Sequence, residues 1–218
     1  MWAARETGNE SFREIAVKHA QTTMKNHFRK DYSCYHVIDY DPETGEVINK
    51  NTHQGAADES GWSRGQAWAL YGFTMMYRET KLDEFFVQAE HIANYLINQN
   101  NIKEGAIPYW DFNAPNIPNE PLDASAGAVI SAALFELFEF SGNEEHIKVA
   151  RKLLKTLSSP EFMAQVGDNE GFLLKHSTGS LPFNSEIDVP IVYADYYFLE
   201  SIIKNIQCEK NLTLAQTN

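Results

Sequence analysis

Apolar residues recur through much of this 218-residue chain at the three- and four-residue steps of a helix face. Trp68, Tyr71, Gly72 and Met75 share one such face, and Phe86, Ala89, Ile92, Ala93 and Leu96 share the next. The pattern returns with Val129, Ala133 and Leu137, then with Ile147, Ala150, Leu153 and Leu154. The junctions between runs follow one template: Arg5-Glu6-Thr7-Gly8-Asn9, Arg78-Glu79-Thr80-Lys81-Leu82 and Glu139-Phe140-Ser141-Gly142-Asn143. Each Thr or Ser is followed nine positions later by Ala16, Ala89 or Ala150, and the three anchors lie 73 and 61 residues apart. Thr-Gly and Ser-Gly-Asn are turn chemistry that closes one helix and opens another. Repeated αα-hairpins predict an all-α fold, either a solenoid or a closed toroid of helix pairs.

Three stretches break the helical rhythm. Tyr35–Tyr40 and Glu46–Ile48 alternate around Asp41-Pro42-Glu43-Thr44-Gly45, which predicts a small β-hairpin. Residues 101–122 and 158–190 are expected to be ordered loops, on the rim where function concentrates, and a last helix is expected over Ile191–Ile206. The helix before each junction starts near Ser63 and near Asp123, 17 and 18 residues ahead of Thr80 and Ser141. Applied to Thr7, the same rule puts a helix start about ten residues before Met1. Residues 1–218 are therefore expected to form a single domain that opens in mid-helix, truncated, with apolar faces left open to drive self-association.

The formal net charge of −12 repels phosphate backbones and argues against nucleic acid as a partner. It repels anionic sugars as well, so a uronate site would need locally placed cations. Cys34 and Cys208 lie far apart and outside any metal-ligand spacing, which suggests free thiols in a reducing compartment. No apolar run approaching the ~18 residues of a membrane span is expected. The N-terminus lacks the basic and apolar regions of a signal peptide, so a cytoplasmic location is the expectation. There is no HExxH, GxSxG, P-loop or GxGxxG, and neither a metal nor another cofactor is indicated.

Candidate chemistry concentrates in residues 51–68, a polar, glycine-containing loop that runs into a helix. Ser60 or Ser63 is a candidate cap, and Asp58 and Glu59 suit the positive helix end, although the same acids are candidates for chemistry. Arg64 and Trp68 stand four residues apart and share a face. An indole stacking on a sugar beside a guanidinium forked onto its carboxylate would suit a uronic acid; a surface cation–π pair is the plainer alternative. Of seven histidines, His36 and His53 fall in or beside these loops. Asp123 before an apolar run reads as an N-cap, Tyr109 and Trp110 as loop packing, and Asp111 as a structural hydrogen-bonding acid.

Trp62-Ser63-Arg64-Gly65-Gln66-Ala67-Trp68-Ala69-Leu70-Tyr71-Gly72-Phe73 resembles the signature of the unsaturated glucuronyl hydrolases, glycoside hydrolase family 88. Tyr109–Phe112 with Leu122–Ala126, and Tyr193–Tyr197, resemble two further motifs of that family, in the same order. The resemblance implies an incomplete (α/α)6 barrel, the C-terminal part of a fold of roughly twelve helices, of which about six and a half are legible. It implies oligosaccharide substrates that end in a 4,5-unsaturated uronic acid. An aspartic acid would protonate the vinyl ether at C4, water would add at C5, and the hemiketal would collapse. His36, His53, Gln54, Arg64 and Trp68 match the family's substrate-binding positions. Trp2-Ala3-Ala4-Arg5-Glu6-Thr7-Gly8 matches the end of the helix whose start carries the acid/base aspartate. The implication is that no catalytic residue lies in this chain and that it has little or no activity alone. The sister family acting on unsaturated rhamnogalacturonan, and a non-catalytic sugar- or protein-binding αα-repeat module, are the alternatives.

Overall fold

A computed structural model describes residues 1–216. Seven α-helices follow one another among the described residues: α1 (Trp2–Thr7), α2 (Ser11–His27), α3 (Ser63–Thr80), α4 (Asp83–Ile97), α5 (Ala124–Ser141), α6 (Glu144–Leu157) and α7 (Val192–Gln216). Two antiparallel strands, β1 (Val37–Tyr40) and β2 (Val47–Asn51), form the expected hairpin after α2. The repeat template corresponds to one local geometry. Gly8, Lys81 and Gly142 close α1, α3 and α5 in the left-handed conformation, at φ 68, 58 and 63°. Each backbone N–H turns back onto the carbonyl four residues earlier, on Ala4, Tyr77 or Phe138. Asn143 then caps α6 by accepting from the Glu145 amide, and Asp123 caps α5 through the Ser125 amide, as its position predicted.

The helices form an arc in which α3, α5 and α7 stand side by side, with α4 behind α3 and α6 behind α5. α5 is the axis of the core: every residue from Ala124 to Leu137 is buried. It shares one core with Phe85, Ile92 and Leu96 of α4, Leu153 and Leu157 of α6 and Phe198 of α7, all inaccessible to solvent or nearly so. Each such side chain contributes about 1.5–3 kcal/mol by leaving water. α5 also reaches the length and apolarity of a membrane span, contrary to the expectation from sequence, yet 78% of it is buried by its neighbours. α2 meets α3 only sparsely, and no extended contact joins α7 to α1 or α2. The ring is therefore open among the described residues.

Two expectations change. The last helix runs ten residues beyond Ile206, to Gln216. Neither Ser60, Ser63, Asp58 nor Glu59 caps α3, whose N-cap is Trp62 without a side-chain bond. Those groups are engaged elsewhere: Asp58 accepts from the Thr52 amide, Glu59 pairs with Arg29, and Ser63 donates to the Trp110 carbonyl.

Candidate functional site

The site lies where the β-hairpin, the loop after β2 and the first turn of α3 converge. Asp111 organises that loop from beneath and is wholly buried. One of its carboxylate oxygens accepts from the Ala56 amide at 2.9 Å and the Ser60 hydroxyl at 2.6 Å, and the other from the Asn113 amide at 2.8 Å. It is a structural acid, as read from sequence. Above it, Nδ1 of His36 accepts the backbone amides of His53 and Gln54 at 3.1 and 3.2 Å. An imidazole nitrogen accepting two N–H groups carries no proton, so the hydrogen of neutral His36 sits on Nε2. Burial, with Coulombic help from His53 and Arg64, pushes its pKa down to about 4. Its ring lies on Trp62, with centroids 4.3 Å apart and planes tilted by 31°.

Trp62 can adopt that position because Gly65 follows it by one turn. A Cβ on Gly65 would stand 2.8 Å from the indole Cε3, inside any real contact distance. The Trp-x-x-Gly spacing is the sequence signal for this stacked tryptophan, which stands at the site alongside the expected Trp68. Trp68 sits one turn further on, half-buried, and packs edge-on against Tyr197 at 5.0 Å and near Tyr193 at 6.3 Å.

Arg64 does not stand beside Trp68 as an open fork. It is 2% exposed, and both terminal nitrogens are occupied. Nη1 donates to Asp123 at 2.7 Å, to the Thr178 carbonyl at 2.7 Å and to the Ser125 hydroxyl at 3.3 Å, while Nη2 donates to the Gly179 carbonyl at 2.7 Å. Its guanidinium lies 4.8 Å from the Trp62 ring and 5.5 Å from that of Tyr193. Gln54 likewise donates to the Gly179 carbonyl at 2.8 Å, so Arg64 and Gln54 together tie loop 158–190 to the site. His53 is exposed and lies against Phe183 at 4.5 Å. The structure thus brings His36, Gln54 and Arg64 together around Trp62. Trp110 is 4% exposed and bonded to Glu120, as packing requires.

His36, Trp62 and Trp68 line one end of a cavity of about 640 Å³ that continues between α2 and α3. Its walls are apolar and aromatic, with two further histidines, His19 and His27, and no carboxylate among them. Cys34 also borders it; burial pushes its thiol up to about 12, and both cysteines are free and buried. Among the described residues no group of three or more His, Cys, Asp or Glu is placed to hold a metal ion.

An arc of αα-hairpins with a histidine–tryptophan pair on its loop rim defines the class of α/α-toroid proteins. No protein-family model matches the chain. It is 46% identical over 200 residues to an unsaturated glucuronyl hydrolase of Formosa agariphila, which covers 92% of this chain and 50% of that protein. An unsaturated chondroitin disaccharide hydrolase of Streptococcus agalactiae is 31% identical, over 93% of this chain and 52% of its own length. The crystal structure of an unsaturated glucuronyl hydrolase specific for heparin superposes with a TM-score of 0.93 at 49% identity, over 96% of this chain and 57% of that one. The Bacillus sp. GL1 unsaturated glucuronyl hydrolase gives 0.86 at 28% identity, over 93% and 54%. The chain is thus similar over more than nine tenths of its length to unsaturated glucuronyl hydrolases, and it spans about half the length of the curated relatives it matches.

Proposed function

We propose that this chain is the sugar-binding part of an unsaturated glucuronyl hydrolase, a single C-terminal unit of the barrel that receives the terminal 4,5-unsaturated uronic acid of an oligosaccharide. The observation that carries this reading is the fixed, neutral His36 donor lying on Trp62 and flanked by Trp68 at the cavity mouth. Indole faces suit the apolar face of a sugar ring, and an Nε2–H suits a hydroxyl or carboxylate oxygen. Arg64, its charge paired with Asp123, holds the Thr178–Gly179 backbone in place together with Gln54. His53, exposed at the rim, is positioned to meet the sugar beyond the uronate.

Hydration of the vinyl ether needs an acid within reach of C4. No carboxylate lines the cavity, Asp111 is buried and accepts three hydrogen bonds from its own loops, and Asp123 is paired with Arg64. The proton donor is therefore proposed to lie outside these 218 residues, in the portion that the longer relatives possess. Titrating the chain with an unsaturated glycosaminoglycan disaccharide should quench tryptophan fluorescence, and His36→Ala should weaken that quench at least about tenfold. The C4=C5 absorbance should persist. No saturable quench would overturn the binding site; turnover by the chain alone at ordinary enzyme rates would overturn the missing donor.

A further inference from the structure

Trp62, Trp68 and Trp110 are held in different ways. Trp62 lies between the His36 ring and the gap at Gly65, and Trp110 donates its indole N–H to Glu120. Trp68, at the cavity mouth, makes no side-chain hydrogen bond among the described residues, and its ring neighbours are all tyrosines. Two of them, Tyr71 of α3 and Tyr197 of α7, complete a cluster in which every pair of rings meets edge to face. Trp68 and Tyr71 are 6.5 Å apart at 90°, Trp68 and Tyr197 5.0 Å at 72°, and Tyr71 and Tyr197 5.1 Å at 80°. Such contacts orient a ring only as firmly as its neighbours are themselves fixed. Tyr71 has the fixed point: its hydroxyl donates to Oε1 of Glu200 on α7 at 3.0 Å. Burial, with the Glu200 charge beside it, raises the pKa of the phenol and keeps it a donor. Lys204 reaches the same oxygen at 3.3 Å, while Oε2 of Glu200 is buried without a hydrogen-bond partner. Lys204 also pairs with Glu136 of α5 at 2.6 Å, and Glu136 with Arg78 of α3 at 2.8 Å. This chain of polar contacts leaves α3 at Tyr71, crosses α7 and α5, and returns to α3 about two turns further on.

We propose that Glu200 is a positioning residue for Trp68: by holding the Tyr71 hydroxyl from α7 it fixes the Tyr71–Tyr197 pair, and that pair sets the plane of the indole at the cavity mouth. Lys204 and Glu136 hold the Glu200 carboxylate in turn. Their side chains are 13% and 6% exposed, so solvent screens these contacts little. The three rings themselves are only half-buried, at the edge of a core that α5 seals without them. Loss of the tether therefore frees the rings while the helices stay packed. The bearing of Glu200 on sugar binding rests on the function proposed above, yet the orientation of Trp68 can be measured with no sugar present.

Near-ultraviolet circular dichroism reads Trp68 as the difference made by Trp68→Phe, taken in each background. Tyr71→Phe, which deletes one oxygen, and Glu200→Leu should each reduce that difference at least about twofold, with the far-ultraviolet spectrum unchanged. Glu200→Gln keeps an acceptor for the hydroxyl and should retain the signal. Tyr71→Phe and Glu200→Leu should also weaken the fluorescence quench by an unsaturated glycosaminoglycan disaccharide about fivefold, and Glu200→Gln less than about twofold. Where Glu200→Leu does not fold, Tyr71→Phe decides alone. An unchanged Trp68 signal in Tyr71→Phe overturns the proposal, as does a Glu200→Gln chain that loses as much signal as Glu200→Leu. The expected signal changes without any saturable quench support the anchor and overturn the sugar reading alone.

Discussion

His36 illustrates how a single side chain is set by its surroundings. Two backbone amides claim Nδ1, and burial beside Trp62 penalises the imidazolium. The groups that bear on it electrostatically, His53 and Arg64, add no negative charge. With a folded pKa near 4 and an unfolded value near 6.5, the unfolded chain binds the extra proton between those limits. Stability should therefore rise from pH 4 to about 6.5 and then level off, as measured by urea unfolding. His27 and His146, also depressed by burial, act in the same direction, so His36→Asn should flatten the slope without removing it. The sequence made His36 a candidate substrate-binding residue, but neither its tautomer nor its lowered pKa was legible there. The donors to its ring come from a loop 17 and 18 residues further on, and only folding brings them there.

The link between elements that matters most is the one Arg64 makes from α3 to the N-cap of α5 and to loop 158–190. The sequence placed Arg64 on the same face as Trp68 and made both candidate ligands. It could not show that Asp123, 59 positions away, would take the guanidinium, or that the Thr178 and Gly179 carbonyls would complete its shell. The side chains of this pair are 3% and 0% exposed, so loss of one partner strands a buried charge. Arg64→Met should destabilise the fold by about 3–5 kcal/mol in urea titrations, and adding Asp123→Asn should recover part of that loss. A freely solvated surface arginine would show less than about 1 kcal/mol. The caps of α1, α5 and α6, by contrast, were readable locally, whereas those expected for α3 were not formed. Glycine after α1 and α5, and Asn or Asp before α6 and α5, act on backbone groups within four residues.

At the scale of the whole molecule, the arc has two unlike edges. One is the α2–α3 groove. The other is the outer face of α7, where Val192, Tyr196, Leu199, Ile203 and Ile206 are all exposed at alternating steps of four and three residues. Such a stripe is the seam of a helix that expects a partner. In isolation the chain should self-associate with concentration, more strongly in sulfate, and Leu199→Lys with Ile203→Glu should return it to a monomer in sedimentation velocity. A monomer at all concentrations would show that α7 needs no cover.

The sequence by itself determined the period of the repeat, the glycines that close α1 and α5, the Asp123 and Asn143 caps and the hairpin. All of these depend on chemistry within a turn or two of the chain, or on a pattern that recurs along it. The tertiary structure decided which of the candidate residues border the cavity and which face one another. It turned Arg64 inward, fixed the proton of His36 on Nε2 and put Trp62 where Trp68 alone had been expected. Charge pairing and hydrogen bonding act over a few ångströms of space, and residues far apart in the chain reach that range only when the helices have packed.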